Sequence, residues 1–306
     1  MKVTVAITTY NRPDMLRRAI ASVVRQTYGD LEILVCDDAS SYDVAGVLAE
    51  FDDPRLALVA AAKNGGIVAN RNRALQSATG DFFCFLDDDD IYLPEKVERC
   101  LAEAISHPGD IVFSQITYVK GDRTWQAPAD GPRDGEPYGD YTFLRGGLIH
   151  LSACLFPAAL GRAVGFGEGL RRHEDFDFLA RMTAGGARLV FLPRALAVLD
   201  LTLSGGRFRR SDKYQETLQA FEVISPLLSE RARLAFLARL GAPKYAAAGL
   251  RWRAVGLVLN AYRGGALRPR NAAKLLLKAL APLSLANLGG REQSPKTYGE
   301  LLSAVS

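Results

Sequence analysis

Acidic residues are missing from one long stretch of this 306-residue chain: between Arg231 and Arg291 there is no Asp or Glu, against twelve Lys and Arg. The rest therefore holds 26 of the 38 basic residues against all 34 acidic ones, an acidic body joined to a basic tail. Cysteine is scarce. Cys36, Cys84, Cys100 and Cys154 stand far apart with no CxxC pair, and two of them lie in apolar runs. That is the pattern of buried, reduced thiols in a cytosolic protein. No run of about 18 apolar residues occurs, so no ordinary membrane span is expected. The start, "MKVTVAITTYNR", turns polar by Thr8 and does not read as a signal peptide. No GK[ST] phosphate loop is present, and no GxGxxG follows the first apolar run. No HExxH or Cys/His cluster points to zinc; His107, His150 and His173 are scattered, and there is no GxSxG elbow.

What is present begins with alternating strand and helix signals. "KVTVAITTY", "LEILVCDDAS", "LALVAA" and "DFFCFL" read as strands. Between the first two, Leu16, Ile20, Val23 and Val24 share one helical face, with Asn11 as cap and Pro13 in the first turn. "GGIVANRNRALQSA" reads as a helix opening at Gly65–Gly66. This order implies βαβ units and a parallel sheet. The middle third has strand-like "DIVFSQITYV", "ARLVFL" and "ALAVLDL", helical "EDFDFLARMTAGG", and two loop-like stretches at 121–140 and 161–172. From about 213 the pattern is helical.

Polar residues gather at the carboxyl ends of the strands: Thr8 to Asn11, Asp37 to Ser40, and Asp87 to Asp90. In open α/β sheets that edge binds ligands. Four adjacent carboxylates repel unless a cation offsets them. If extended geometry persists past the strand, Asp87 and Asp89 face one side. Such a pair suits Mg²⁺ or Mn²⁺ bound through a substrate diphosphate. The alternative is a solvated acidic turn. The residues thus point to a metal-dependent enzyme, or binder, for a nucleotide-diphosphate derivative.

Five segments in order resemble the family-2 glycosyltransferases of GT-A fold: "VAITTYNRPDMLRRAIASVVRQTY", "LEILVCDDAS", "KNGGIVANRNRAL", "GDFFCFLDDDDIYLPEKVE" and "HEDFDFLARM". The resemblance implies an α/β fold with a mixed, mainly parallel sheet flanked by helices, and here a C-terminal helical extension. The implied divisions are a nucleotide-sugar half (1–100), an acceptor half (101–212) and a basic helical region (213–306). It assigns Thr8, Tyr10, Asn11, Asp37, Asp38, Asn64, Arg71, Asp87 and Asp88 to the nucleotide sugar. Asp38 receives the base's imino hydrogen. Asp89 and Asp87 are the metal ligands, with Asp89 the direct one, and Mn²⁺ or Mg²⁺ is the ion. Asp90 is left as an outer residue or a helix start before Pro94. Asn70 departs from the family's usual Ala. Asp175 is implied as general base, Glu174 as acceptor-orienting residue and Asp177 as the fallback. His150, in "IHLSACLF", is either an acceptor or diphosphate contact or a plain core histidine.

The activity implied is an inverting transfer of a single sugar from a nucleotide-diphosphate sugar, UDP-linked by resemblance. The acceptor is a saccharide or polyprenyl-linked saccharide, in polysaccharide or glycolipid synthesis. An inactive sugar-nucleotide-binding scaffold and a sugar-phosphate nucleotidyltransferase are the alternatives. "LSGGRFRRSDKY" at 203–214, with Arg207, Arg209 and Arg210, reads as a basic lid or an exposed linker. "GLRW" at 249–252 has Ala248 where a processive enzyme's Gln would stand. The basic stretch 231–291 reads as an anionic membrane surface contact, placing a cytoplasmic protein on the inner face of the cell membrane. Otherwise these helices pack on the body or on a second subunit of a homodimer. No nucleic-acid motif is present.

Overall fold

The computed structural model describes residues 1–202 and 214–280. β1 (Val3–Thr9), β2 (Leu31–Asp37), β3 (Leu56–Ala60) and β4 (Phe82–Asp87) lie parallel in the order β3-β2-β1-β4. Alternate residues feed two cores, as the two-residue period of a strand requires. Val5, Ile7, Val35 and Leu86 pack with Leu16, Ile20 and Val23 of α1 (Pro13–Val24). Ala6, Leu34, Phe83 and Phe85 pack with Ala74 and Leu75 of α3 (Gly66–Ser77). A short α2 (Val44–Ala49) precedes β3; the Asp43 side chain caps it by accepting from the Gly46 amide at 2.9 Å.

The sheet continues through β8 (Cys154–Pro157), β6 (Ile111–Lys120), β9 (Leu189–Asp200) and β5 (Asp90–Tyr92), with β7 (Arg123–Ala127) hanging from β6. β8 runs antiparallel to both β4 and β6, so the nine-stranded sheet is mixed. α4 (Lys96–Ser106), α5 (Ala158–Val164) and α6 (Glu174–Ala184) complete the body. One sheet spans both expected halves, and the boundary near residue 100 falls inside α4.

Four local expectations need correction. The stretch 121–140 contains β7, pinned by Trp125 stacking on Tyr118 at 5.4 Å. The stretch 161–172 begins inside α5. "ARLVFL" and "ALAVLDL" form one strand, β9, because the register with β6 slips where Pro193 and Arg194 lie. Asn11 does not cap α1. It has φ of 56°, and its Oδ1 accepts from the Ser41 amide at 2.7 Å, while Arg12 occupies the cap position without a side-chain cap.

The four cysteines are free and buried. Beyond 213 come α7 (Tyr214–Ile224), α8 (Glu230–Phe236), a π turn (Leu237–Gly241), α9 (Ala242–Ala247), α10 (Arg251–Arg263) and α11 (Pro269–Leu280). Their buried faces join the core of the body. Phe236 meets Phe143 edge-on at 4.9 Å, and Phe143 meets Phe176 of α6 at 5.4 Å. Residues 203–213, expected as a basic lid or an exposed linker with Arg207, Arg209 and Arg210, lie outside the described residues, as does the tail from 281.

Candidate active site

The parallel strands β1, β2 and β4 end together, with Thr8 opposite Cys36 and Asp87, and Thr9 opposite Asp37. Register alone thus brings the threonines beside the acidic tips. Thr8 Oγ1 donates to Asp87 at 3.2 Å and Thr9 Oγ1 to Asp88 at 2.8 Å. After Asp87 the chain turns at Asp88–Asp89 and re-enters the sheet as β5 at Asp90. The extended geometry expected through Asp89 does not persist, so Asp87 and Asp89 do not form a simple same-side pair. Asp90 is a buried strand residue, not a helix start.

Each acid has a partner, and Asp88 and Asp89 share one. Asp87 accepts from Arg71 Nη2 at 2.9 Å, and Arg71 Nη1 donates to Glu174 at 3.1 Å. Arg12 Nη1 donates to Asp88 at 2.9 Å and to Asp89 at 3.0 Å. Asp90 accepts from Ser152 Oγ at 2.6 Å, and His150 Nδ1 lies 3.7 Å from the same carboxylate. Ligand atoms of Asp87, Asp90 and His150 lie within 4.8 Å of one another. Two carboxylates and an imidazole at that spacing fit a divalent cation. The sequence reading missed Arg12, Ser152 and the inward direction of Asp90. The alternation within "LDDDDIY" was its one available signal for Asp90.

Burial sets the titration of this cluster. It pushes Asp88 up to about 6, with Arg12 opposing and Asp89 adding. It raises Asp90 well above the carboxylate range, Asp87 and Asp89 adding. Burial lowers His150, which favours the neutral imidazole that binds metals. Burial alone would lower Arg71, but Asp87 and Glu174 outweigh it and hold the guanidinium charged.

The residues expected to take the nucleotide gather around the start of α3. The Asp38 carboxylate accepts from the Gly65 and Gly66 amides at 2.9 and 2.8 Å, and Arg73 lies 3.5 Å away. Gly66 has φ of 81°, a left-handed conformation that glycine adopts without strain. Asn64 donates to the Asp38 carbonyl at 3.2 Å. Asp37 accepts from Ser40 through both amide and hydroxyl. Asn70, the departure from the expected Ala, is buried and donates to the Cys36 carbonyl at 2.8 Å. Tyr10 is exposed beside this edge.

α6 opens opposite, with Glu174 and Asp175 in its first turn. Its dipole favours acids there. Burial, followed by the Glu174 charge, nevertheless raises Asp175 to about 7, with Arg71 opposing. Asp177 is committed elsewhere, to Arg181 at 2.7 Å. Arg71 therefore links Asp87 at the end of β4 directly to Glu174 at the start of α6.

Comparison with known proteins is consistent with this geometry. The glycosyl transferase family 2 model matches residues 4–166. The amylovoran biosynthesis glycosyltransferase AmsB of Erwinia amylovora is 24% identical over 238 residues, 74% of this chain and 79% of AmsB. The Escherichia coli UDP-Glc:alpha-D-GlcNAc-diphosphoundecaprenol beta-1,3-glucosyltransferase WfgD is 40% identical over 117 residues, 38% of this chain and 46% of WfgD. S. aureus TarS in complex with UDP-GlcNAc superposes with a TM-score of 0.64 at 19% identity, covering 91% of this chain and 85% of that one. The mannosyltransferase PcManGT of Pyrobaculum calidifontis, in complex with GDP-Man and Mn²⁺, gives 0.59 at 19% identity, covering 99% and 84%. These structural likenesses show a GT-A fold.

Proposed function

Because the chain belongs to glycosyl transferase family 2, an enzyme family of the glycosyltransferase class, we propose that it moves one sugar from a nucleotide-diphosphate sugar, UDP-linked, to a saccharide or polyprenyl-linked saccharide, with inversion. The product belongs to a bacterial surface polysaccharide or glycolipid, in keeping with the names of AmsB and WfgD. The observation that carries this reading is Arg71 bridging Asp87 and Glu174, which brings the metal-fitting acids and the α6 acids to one place.

Thr8, Tyr10, Asn11, Asp37, Asp38 and Asn64 line the side proposed for base and ribose. Asp87, Asp90 and His150 would hold a divalent ion, Mn²⁺ or Mg²⁺, with Asp89 in the adjoining turn. Such an ion offsets charge on the departing diphosphate. Asp175 takes the proton of the acceptor hydroxyl as that oxygen attacks the anomeric carbon. Glu174, held by Arg71, orients the acceptor. The fixed separation between the two rims of the cleft supplies positioning.

Among the described residues no helix is long and apolar enough to cross a membrane. The acid-free helices α10 and α11 instead expose Trp252 (81%) and Leu277 (72%) among Arg251, Arg253, Lys274 and Lys278. That composition supports contact with an anionic membrane surface, where a polyprenyl-linked acceptor resides.

Nucleoside-diphosphate release from UDP-glucose or UDP-GlcNAc, with saccharide acceptors, tests the reading. Release is expected to stop in EDTA and return with Mn²⁺ or Mg²⁺. Asp175→Asn is expected to keep donor affinity and lose turnover by about 10²–10⁴-fold. Normal turnover by that variant would remove Asp175 as the base, and binding without turnover in the wild type would favour a scaffold.

A further inference from the structure

Arg12 and Arg71 hydrogen-bond to the acids of the site, and Arg18 lies near enough to Asp89 and Asp90 to feel their charge. Arg71 serves Asp87 and Glu174. Arg12 holds Asp88 and Asp89 through one nitrogen, Nη1, at 2.9 and 3.0 Å. All three side chains are mostly out of water, Arg12 19% exposed, Asp88 4% and Asp89 14%. The two carboxylates are not held alike. Asp88 also accepts from Thr9 at 2.8 Å. Among the described residues, Arg12 is the only hydrogen-bond donor to the Asp89 carboxylate.

Asp89 sits in a two-residue turn between β4 and β5, and its neighbours Asp87 and Asp90 belong to the group that fits a divalent ion. An ion there carries twice the charge of a guanidinium, and attraction between mostly desolvated charges is strong. We propose that Arg12 is the resident counter-cation of Asp89 and competes with the divalent ion for it. When the ion enters, Asp89 passes to it and Arg12 keeps Asp88. Arg12 is thus a positioning residue that holds the acidic turn together in the empty site and lowers the affinity for the ion. The inference rests on the ion reading above.

Mn²⁺ binding by the full chain, followed by loss of the free-ion electron paramagnetic resonance signal with and without UDP, separates the two. Wild type is expected to bind, and Asp87→Asn to lose binding. Arg12→Gln is expected to bind about twofold to fivefold tighter, the scale of one ion pair. Arg12→Lys, which restores the charge, should return to within about twofold of wild type. Thr9→Val removes the other donor to Asp88 and draws Arg12 toward that carboxylate. It should also tighten binding, which keeps the test alive if Arg12→Gln does not fold. If wild type fails to bind Mn²⁺, or Asp87→Asn binds normally, the ion reading falls and this inference with it. If those hold but folded Arg12→Gln or Thr9→Val binds equally or more weakly, Arg12 is only a scaffold and this inference alone is overturned.

Discussion

A carboxylate that must take a proton from a sugar hydroxyl works best with its own pKa near the working pH. Asp175 sits there, raised to about 7 by burial and then by Glu174. The base must be deprotonated, so kcat/KM is expected to rise with pH and level off above about 7, falling about tenfold per unit below it. The same upward shift costs folding stability as pH climbs from the usual carboxylate range through 7, since the buried group resists ionising. A pH–rate profile on the wild type checks the first statement; a flat profile from pH 5 to 8 would remove Asp175 from the chemistry. At this scale the acids were legible in sequence, because "DDDD" and "HED" are short and local. Their partners were not. Arg12 and Ser152 reach Asp88 and Asp90 from 76 and 62 residues away, and Arg71, expected at the site, was not expected to pair with Asp87. Lys96 was equally hidden. It reads as an ordinary helix residue, yet it is fully buried, with Nζ 3.4 Å from the Cys154 carbonyl and 5.1 Å from the Tyr92 ring.

Between the strands, the start of α3 is the element on which the proposed donor side depends. Its first amides, at Gly65 and Gly66, are satisfied by Asp38 from the end of β2 rather than by a local cap. Asp38→Ala is therefore expected to cost about 1–2 kcal/mol of stability, the scale of a lost helix cap. It should also weaken UDP binding, and thermal melts with and without UDP separate the two effects. Unchanged melting would mean that water replaces the carboxylate at no cost. Elements with strong apolar runs were readable: β1, β2, β4, α1 and α6 stand where their periodicities put them. β7 was not, since "RTWQA" has exposed faces and owes its strand state to pairing with β6. The joining of β9 through Pro193 was hidden too, because a proline argues for a break until a partner strand absorbs the slip.

Across the whole molecule, the acid-free region does two things at once. Its buried faces, with Phe236 and Val258, close the core beneath α6. Its exposed faces carry basic side chains around Trp252 and Leu277. Charge asymmetry in the sequence pointed to the second role, but apolar spacing alone did not say which face was covered. Co-sedimentation with vesicles containing anionic phosphatidylglycerol is expected for the full chain. Binding to neutral phosphatidylcholine vesicles should be weak, and Trp252→Ala and Lys274→Glu should each reduce binding to the anionic ones. Equal binding to both vesicle types would contradict an electrostatic contact.

The central claim is that a divalent ion at the acidic edge of the sheet joins the donor's diphosphate to the cleft that Asp175 overlooks. Crystals grown with Mn²⁺ and UDP, measured at the manganese absorption edge, test this directly. The expected result is one strong anomalous peak within coordinating distance of Asp87 and of a diphosphate oxygen. Ordered UDP in the cleft with no anomalous signal at these acids, or manganese bound elsewhere on the molecule, would contradict it.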